Sequence, residues 1–483
     1  MLLFAAGLAV LLAGCTLAPS YNRPAAPVPA TWPNGPAYAA AEASPSTAPA
    51  AALPWEDFFT DPALRRVIGM ALTNNRDLRL AALNVERTRA IYGIQRAALW
   101  PAVNAVGAGS RARLPGDLTS SGNAQTVERY DANLGVAAWE IDFFGRIRSL
   151  KDRALEEYLA SEQARRSAQI LLVSAAAQAC LALAADRENL ALAETTLTAQ
   201  QGAYDLVKRR HELGLVPELD LLRAQTPLEV ARRDVAVYTQ RVAQDENALT
   251  LLAGGPVPGE WLPSRLSDVE SLAPVAAGLP SDVLLQRPDV LQAENRLKAA
   301  NADIGAARAA FFPRVSLTAA VGTASSELSG LFKAGSGVWS YAPQIVMPLF
   351  DARTWSAHKA AKVQREMAVA DYERAIQTAF REVADALAVS GTVDRQVAAQ
   401  EALVHALSET YRLASSRYDK GIDSYLGVLD AQRSLFAAEQ VWVLLRLQAR
   451  VSQVQLYAVL GGGGPFEPAP DAGALAQASA TTQ

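Results

Sequence analysis

Apolar residues recur at three- and four-residue steps in two stretches of this chain, and the stretches match. Leu190, Ala193, Leu197, Gln200, Tyr204, Val207 and His211 form one heptad frame. Val397, Gln400, Val404, Leu407, Tyr411, Ala414 and Tyr418 stand in the same phase, each 207 residues later (190 to 397). This spacing predicts matched helices packed as coiled coils. The first belongs to a helix expected from about Arg146 to Glu212, which at 1.5 Å per residue makes a rod of about 100 Å. No proline interrupts it. Each rod ends at a glycine, in Arg210-His-Glu-Leu-Gly214 and in Arg417-Tyr-Asp-Lys-Gly421. A return helix then runs to Leu252-Ala-Gly-Gly255 in one copy and Leu460-Gly-Gly462 in the other.

A period of two appears elsewhere. Tyr130, Ala132, Leu134, Val136 and Ala138 alternate with Asp131, Asn133, Gly135 and Ala137, and Val315, Leu317, Ala319 and Val321 alternate with Arg314, Ser316, Thr318 and Ala320. Strands are therefore expected at about 101–112, 129–140, 313–324 and 337–348, with an exposed polar loop from Leu114 to Glu128. Asp61 as N-cap and Pro62 at the first position open a helix expected to continue through Leu64, Ile68, Leu72, Leu78, Leu83 and Ile91 until Trp100-Pro101 stops it.

The chain thus divides into a leader at 1–14, a Pro/Ala-rich extended segment at 15–54, a first repeat at 55–255 (turn 211–220), a connecting segment at 256–281, a second repeat at 282–464 (turn 418–430) and a tail at 465–483. Each repeat is helix, two strands, long helix, turn, helix. The fold class is mainly α with a β-barrel part: a duplicated unit of long coiled-coil helices plus four membrane-crossing strands.

Four strands of roughly ten residues are long enough to cross a bilayer when tilted. Four cannot close a barrel, and lipid does not tolerate an open edge, so several chains must share one barrel. Trp100, Trp139, Trp339, Tyr341 and Phe312 near strand ends suit interfacial aromatic girdles. Ala168 to Ala185 is apolar, yet it holds Gln169, Ser174 and Gln178. Its repeat mate carries Arg381, Glu382 and Asp385, so both read as helix-packing faces and not as spans.

Composition narrows the function. Half the residues are hydrophobic but only 7% are aromatic, and the net charge is −4. That charge excludes nucleic-acid binding driven by overall basicity. His211, His358 and His405 have no metal-ligand spacing, Gly461 to Gly464 lacks the Lys and Ser/Thr of a phosphate loop, and no Gly-x-Ser-x-Gly elbow occurs. The chain is therefore expected not to be an enzyme and to need no cofactor or metal. Leu2 to Ala13 is an apolar core too short for a bilayer span, ending in Leu12-Ala13-Gly14-Cys15, although no Lys or Arg precedes Arg23. This resembles a bacterial lipobox, which implies a diacylglycerol and acyl lipid on Cys15. Thr16, not Asp, follows, which by resemblance to other lipoproteins implies sorting to the outer membrane.

Gly278-Leu-Pro-Ser281-Asp-Val-Leu-Leu-Gln-Arg287-Pro-Asp289-Val-Leu-Gln-Ala293-Glu294, continuing through Ile304-Gly305 to Phe311-Phe-Pro313-Arg-Val-Ser-Leu317, strongly resembles the TolC-like outer-membrane factors of bacterial efflux systems, in the OprM/NodT lipoprotein branch. Tyr21-Asn-Arg-Pro24 after Cys15, and Trp55 with Asp61-Pro-Ala-Leu64, are similar to the same branch. The resemblance covers nearly the whole mature chain. It implies a homotrimer with a 12-stranded barrel in outer-membrane lipid and an α-helical tunnel extending into the periplasm. It also implies docking to a periplasmic adaptor and an inner-membrane pump of the resistance-nodulation-division type. The implied role is a passive exit duct for drugs and other small molecules. The alternatives are the exit channel of type I protein secretion and a structural coiled-coil lipoprotein.

The resemblance places the tunnel's closed end at the two turns, where Asp220, Tyr418, Asp423 and Asp430 are the constriction candidates. In a trimer each aspartate becomes a ring of three that attracts cations, and Tyr418 can hydrogen-bond across helices. Some relatives carry a basic residue where Asp423 stands, so their salt-bridged closure is not expected to carry over. Asp220 near Pro217 has a rival role as a helix cap.

Overall fold

The computed structural model describes residues 16–38, 50, 53–275 and 283–463. Cys15, the leader, the opening Gly278 to Asp282 of the signature stretch and the 465–483 tail lie outside the described residues.

The first half contains α1 (Pro62–Asn74), α2 (Arg76–Ala97), β1 (Val103–Leu114), β2 (Gln125–Ile141), α3 (Arg146–Glu212) and α4 (Glu218–Ala253). The second half contains α5 (Pro288–Ala309), β3 (Arg314–Ser325), β4 (Gly337–Val346), α6 (Ala352–Asp419) and α7 (Tyr425–Val459). Asp61 caps α1 by accepting from Ala63 N–H and Leu64 N–H at 2.8 Å each. The single helix expected through Ile91 is in fact two. Asn75 leaves helical geometry at ψ 131°, its side-chain oxygen accepts from Leu78 N–H at 3.0 Å to start α2, and its amide donates to the Leu252 carbonyl at 3.0 Å.

The helix ends repeat as closely as the heptads. At the end of α3, Gly214 N–H bonds His211 O and Leu215 N–H bonds Arg210 O, both at 2.8 Å. At the end of α6, Gly421 N–H bonds Tyr418 O at 2.8 Å and Ile422 N–H bonds Arg417 O at 3.0 Å. These are two Schellman caps, and they require a left-handed residue at Gly214 (φ 71°) and Gly421 (φ 73°). A side chain at either glycine would cost helix termination and return-helix direction together.

Two compact parts share these helices. One comprises described residues 16–25, 84–161 and 292–372. It holds an antiparallel meander in the order β1-β2-β3-β4. The first hairpin pairs up to Leu114↔Gln125, so ladder replaces both ends of the expected loop. Its polar residues pair across the strands, as Arg111 does with Glu128 at 2.9 Å. The alternation read through Ala138 stops at Val136. A bulge lies between Val136 and Trp139, where Ala138 sits at φ 49° and gives its N–H to Thr318 Oγ1 at 3.1 Å. Among the described residues β1 and β4 pair on one side only, leaving both edges open. Val103, Val106, Trp339, Tyr341, Ile345 and Val346 on these edge strands are exposed.

In the same part the N-terminal segment is pinned to α5. Buried Glu294 receives Arg23 at 2.8 Å, the Tyr21 hydroxyl at 3.2 Å and Lys298 at 3.4 Å. Burial alone would raise the Glu294 pKa, but the Arg23 hydrogen bond and the Lys298 charge outweigh it and hold the carboxyl below its usual range. Asn301 donates to Pro19 O and Arg308 to Leu17 O.

The other part comprises described residues 26–38, 50, 53–83, 162–275, 283–291 and 373–463. Its core stacks Phe58 on Tyr457, with centroids 4.0 Å apart, against Ile68, Leu181, Leu183, Leu249 and Leu460. Ala176, Ala177, Ala184 and Ala185 are buried in it, so the apolar stretch of α3 faces protein. Burial also pushes the Cys180 thiol up to about 12, which leaves it inert near neutrality.

A carboxyl pair sits between α3 and α4. Burial, then the neighbouring Asp186, pushes Asp245 up to about 6, while burial raises Asp186 against the opposing Arg241 guanidinium at 3.9 Å. Folded Asp245 keeps its proton to a higher pH than the unfolded chain, whose aspartates titrate near ~4. Its stabilising contribution is complete below that value and is lost as pH rises through about 6. Asp245→Asn is therefore expected to resist denaturant better than the unaltered protein at pH 7 and equally at pH 4. A larger advantage at pH 4 would contradict the assignment.

Candidate functional site at the helix turns

The two glycine turns lie in the same compact part and present different side chains from equivalent positions. Arg417 keeps within its own turn, its Nε 2.5 Å and its Nη2 3.1 Å from the Asp423 carboxylate. This hydrogen bond holds the Asp423 carboxyl below its usual range. In the first turn the position equivalent to Asp423 is Val216, which offers only a carbonyl, bonded to His211 Nδ1 at 3.0 Å. Arg210, the mate of Arg417, instead donates to the Tyr418 hydroxyl of the second turn at 2.5 Å. One side-chain difference between the copies thus turns a local ion pair into a tie between the two helix pairs. Tyr418 also packs on Tyr425, with centroids 5.0 Å apart. Burial, with Tyr411 and Tyr418 adding to it, pushes the Tyr425 phenol up to about 12.

Asp220 and Asp430 stand apart from this tie. Asp220 lies in the first turn of α4 with its own N–H on Pro217 O at 3.0 Å, and α4 has no side-chain cap. Its carboxylate is 3.5 Å from Arg223. Asp430 is paired with Arg433 at 2.6 Å. All three aspartates are substantially exposed within one chain. The structure therefore joins Tyr418 to the first turn and Asp423 to Arg417, and brings none of the three aspartates onto another. Sequence reading missed Arg210, Arg417, Arg223, Arg433 and Tyr425 as partners. The signal for the first two was present, since Arg210 and Arg417 mark the repeat itself.

The described part of the signature stretch is structural. Arg287 is buried, with Nη2 2.7 Å from both Asp289 and Glu382 and Nη1 2.9 Å from Val459 O. Burial works against its charge, and the two carboxylates more than restore it.

Among the described residues the arrangement offers no group of three or more His, Cys, Asp and Glu that could hold a metal ion. What it offers is a duplicated helical assembly with an unfinished sheet, and comparison with known proteins decides what that is. The family described as "Outer membrane efflux protein" matches residues 67–255 and 279–462. The chain belongs to this family. This efflux protein is 49% identical to the probable efflux pump outer membrane protein TtgC of Pseudomonas putida over 456 residues, 94% of each chain. It is 42% identical to outer membrane protein OprJ of Pseudomonas aeruginosa, again over 94% of each. It superposes on the open-state MtrE outer membrane channel of Neisseria gonorrhoeae with a TM-score of 0.84 at 36% identity, over 93% of this chain and 98% of that one. The efflux protein is thus an outer-membrane channel component of an efflux pump and not an enzyme.

Proposed function

We propose that three copies of this efflux protein join their four-stranded sheets edge to edge into one 12-stranded barrel. The open edges of β1 and β4 carry this reading, because unpaired backbone groups in a bilayer cost several kcal/mol each. Their exposed aromatic and aliphatic side chains suit lipid. The helices continue the duct into the periplasm, where an adaptor and an inner-membrane pump of the resistance-nodulation-division type deliver cargo. Small organic molecules, including antibiotics and solvents, are the cargo class that fits relatives named as antibiotic, toluene and solvent efflux proteins. A lipid on Cys15 anchors each chain. Labelled palmitate should enter the native protein and not a Cys15→Ser protein.

The turns form the constriction. Threefold symmetry makes a ring of Asp220 and a ring of Asp430, and Tyr418 with Arg210 holds the helix pairs together. Planar-bilayer recording is expected to show cation-selective channels, with selectivity lowered in an Asp220→Asn, Asp430→Asn double variant. Absence of current from the native protein contradicts the duct. Unchanged selectivity in the variant removes the rings from it.

A further inference from the structure

Past the turns, α3, α4 and α7 line a half-open cavity of about 300 Å³. That is the lower end of the size that holds a small organic ligand. Its walls are chiefly apolar, from Val230 on α4 and Leu429 and Phe436 on α7. Two features are out of place in a coiled-coil wall. Gln200 of α3, only 3% exposed, lines the cavity and leaves its Oε1 buried without a hydrogen-bond partner. Pro227 lies inside α4 and has no N–H to give the Arg223 carbonyl one turn back. A buried acceptor without a donor is unfavourable, so its retention calls for a partner that arrives from outside.

The duplication supplies an internal control. The residues equivalent to Gln200 and Pro227 in the second half are Leu407 and Ser434, which are ordinary for a heptad core and a helix surface. The cavity's polar acceptor therefore occurs in one copy only, and the other copy shows that the packing does not need it. At the rim Asp430 and Arg433 are paired with each other at 2.6 Å, so neither is free to hold a charged ligand inside the cavity.

We infer that this cavity binds a compact neutral aromatic molecule carrying one O–H or N–H, its ring against Phe436 and Leu429 and its donor on Gln200 Oε1, which the amide presents by turning about its last side-chain bond. Phenols and aromatic alcohols are the simplest members of the class. The duct then has a selective site on its own wall, separate from any choice made by the pump.

Photolabelling of the full-length protein in detergent with an aryl-diazirine benzyl alcohol, read by peptide mass spectrometry, tests this. Label is expected in the segments 196–200, 223–231 and 426–436, with phenol displacing it better than toluene, which lacks a donor. Gln200→Leu, which installs the residue of the equivalent position, should lower that labelling about tenfold, the loss of one buried hydrogen bond. Val230→Trp should fill the cavity and abolish it. Label confined to the strands, equal displacement by phenol and toluene, or native labelling in Gln200→Leu would each overturn the site.

Discussion

Channels carrying Tyr418→Phe are expected to show a closed-to-open ratio about a hundredfold lower in planar bilayers than the native channel, at unchanged expression. The hydroxyl removed is the acceptor for Arg210 at 2.5 Å, the tie between the two glycine turns. A hydrogen bond to a charged group contributes roughly 1.5–3 kcal/mol when buried; at this partly exposed site about 1 kcal/mol is the fitting figure. Three chains moving together multiply it to about 3 kcal/mol, or about a hundredfold in the ratio of closed to open channels. Arg417→Ala acts in the same direction by freeing Asp423, and Arg210→Ala should do at least as much as Tyr418→Phe, because it also removes the guanidinium that lies 5.7 Å from the Tyr418 ring centroid. A Tyr418→Phe channel with native conductance and open probability would show that the tie does not hold the constriction.

Arg287→Ala carries the largest expected cost to stability. Arg287 is 8% exposed, and its guanidinium serves Asp289, Glu382 and the Val459 carbonyl at once. Its deletion leaves two carboxylates facing each other without a counter-charge near the end of α7. Breaking a fully buried pair costs about 3–5 kcal/mol, but Asp289 and Glu382 are each about a third exposed, so solvent screens part of the loss and about 2 kcal/mol is the fitting figure. Chemical denaturation of the detergent-solubilised protein should show it as a lower midpoint, and Arg287→Lys should recover only part, since an ammonium cannot reproduce the fork that spans both carboxylates. A loss below about 0.5 kcal/mol, the level of an ordinary surface change, would contradict this role.

The sequence made the repeat legible because heptads and glycine turns are local signals. Gly214 and Gly421 are left-handed caps in the structure, and the strands lie over the segments that alternate. The break at Asn75 was hidden. Its neighbours continue a helical pattern, and the residue that holds its side chain, Leu252, is distant in sequence. The bulge at Ala138 was hidden for the same reason: its N–H is taken up by Thr318 of another strand. In the turns, residue type and spacing picked out Tyr418 and the aspartates but not their partners. Arg210 and Arg417 looked alike as repeat marks. Only the folded pairing of Arg417 with Asp423, for which Val216 offers no counterpart, separates a local ion pair from the cross-turn tie of Arg210.

On the function proposed above, one chain presents an incomplete sheet that threefold association finishes. Native mass spectrometry of the protein released from a detergent micelle measures this directly. A particle of three chains that dissociates only when the strands unfold is expected. A stable particle of one or two chains would contradict it.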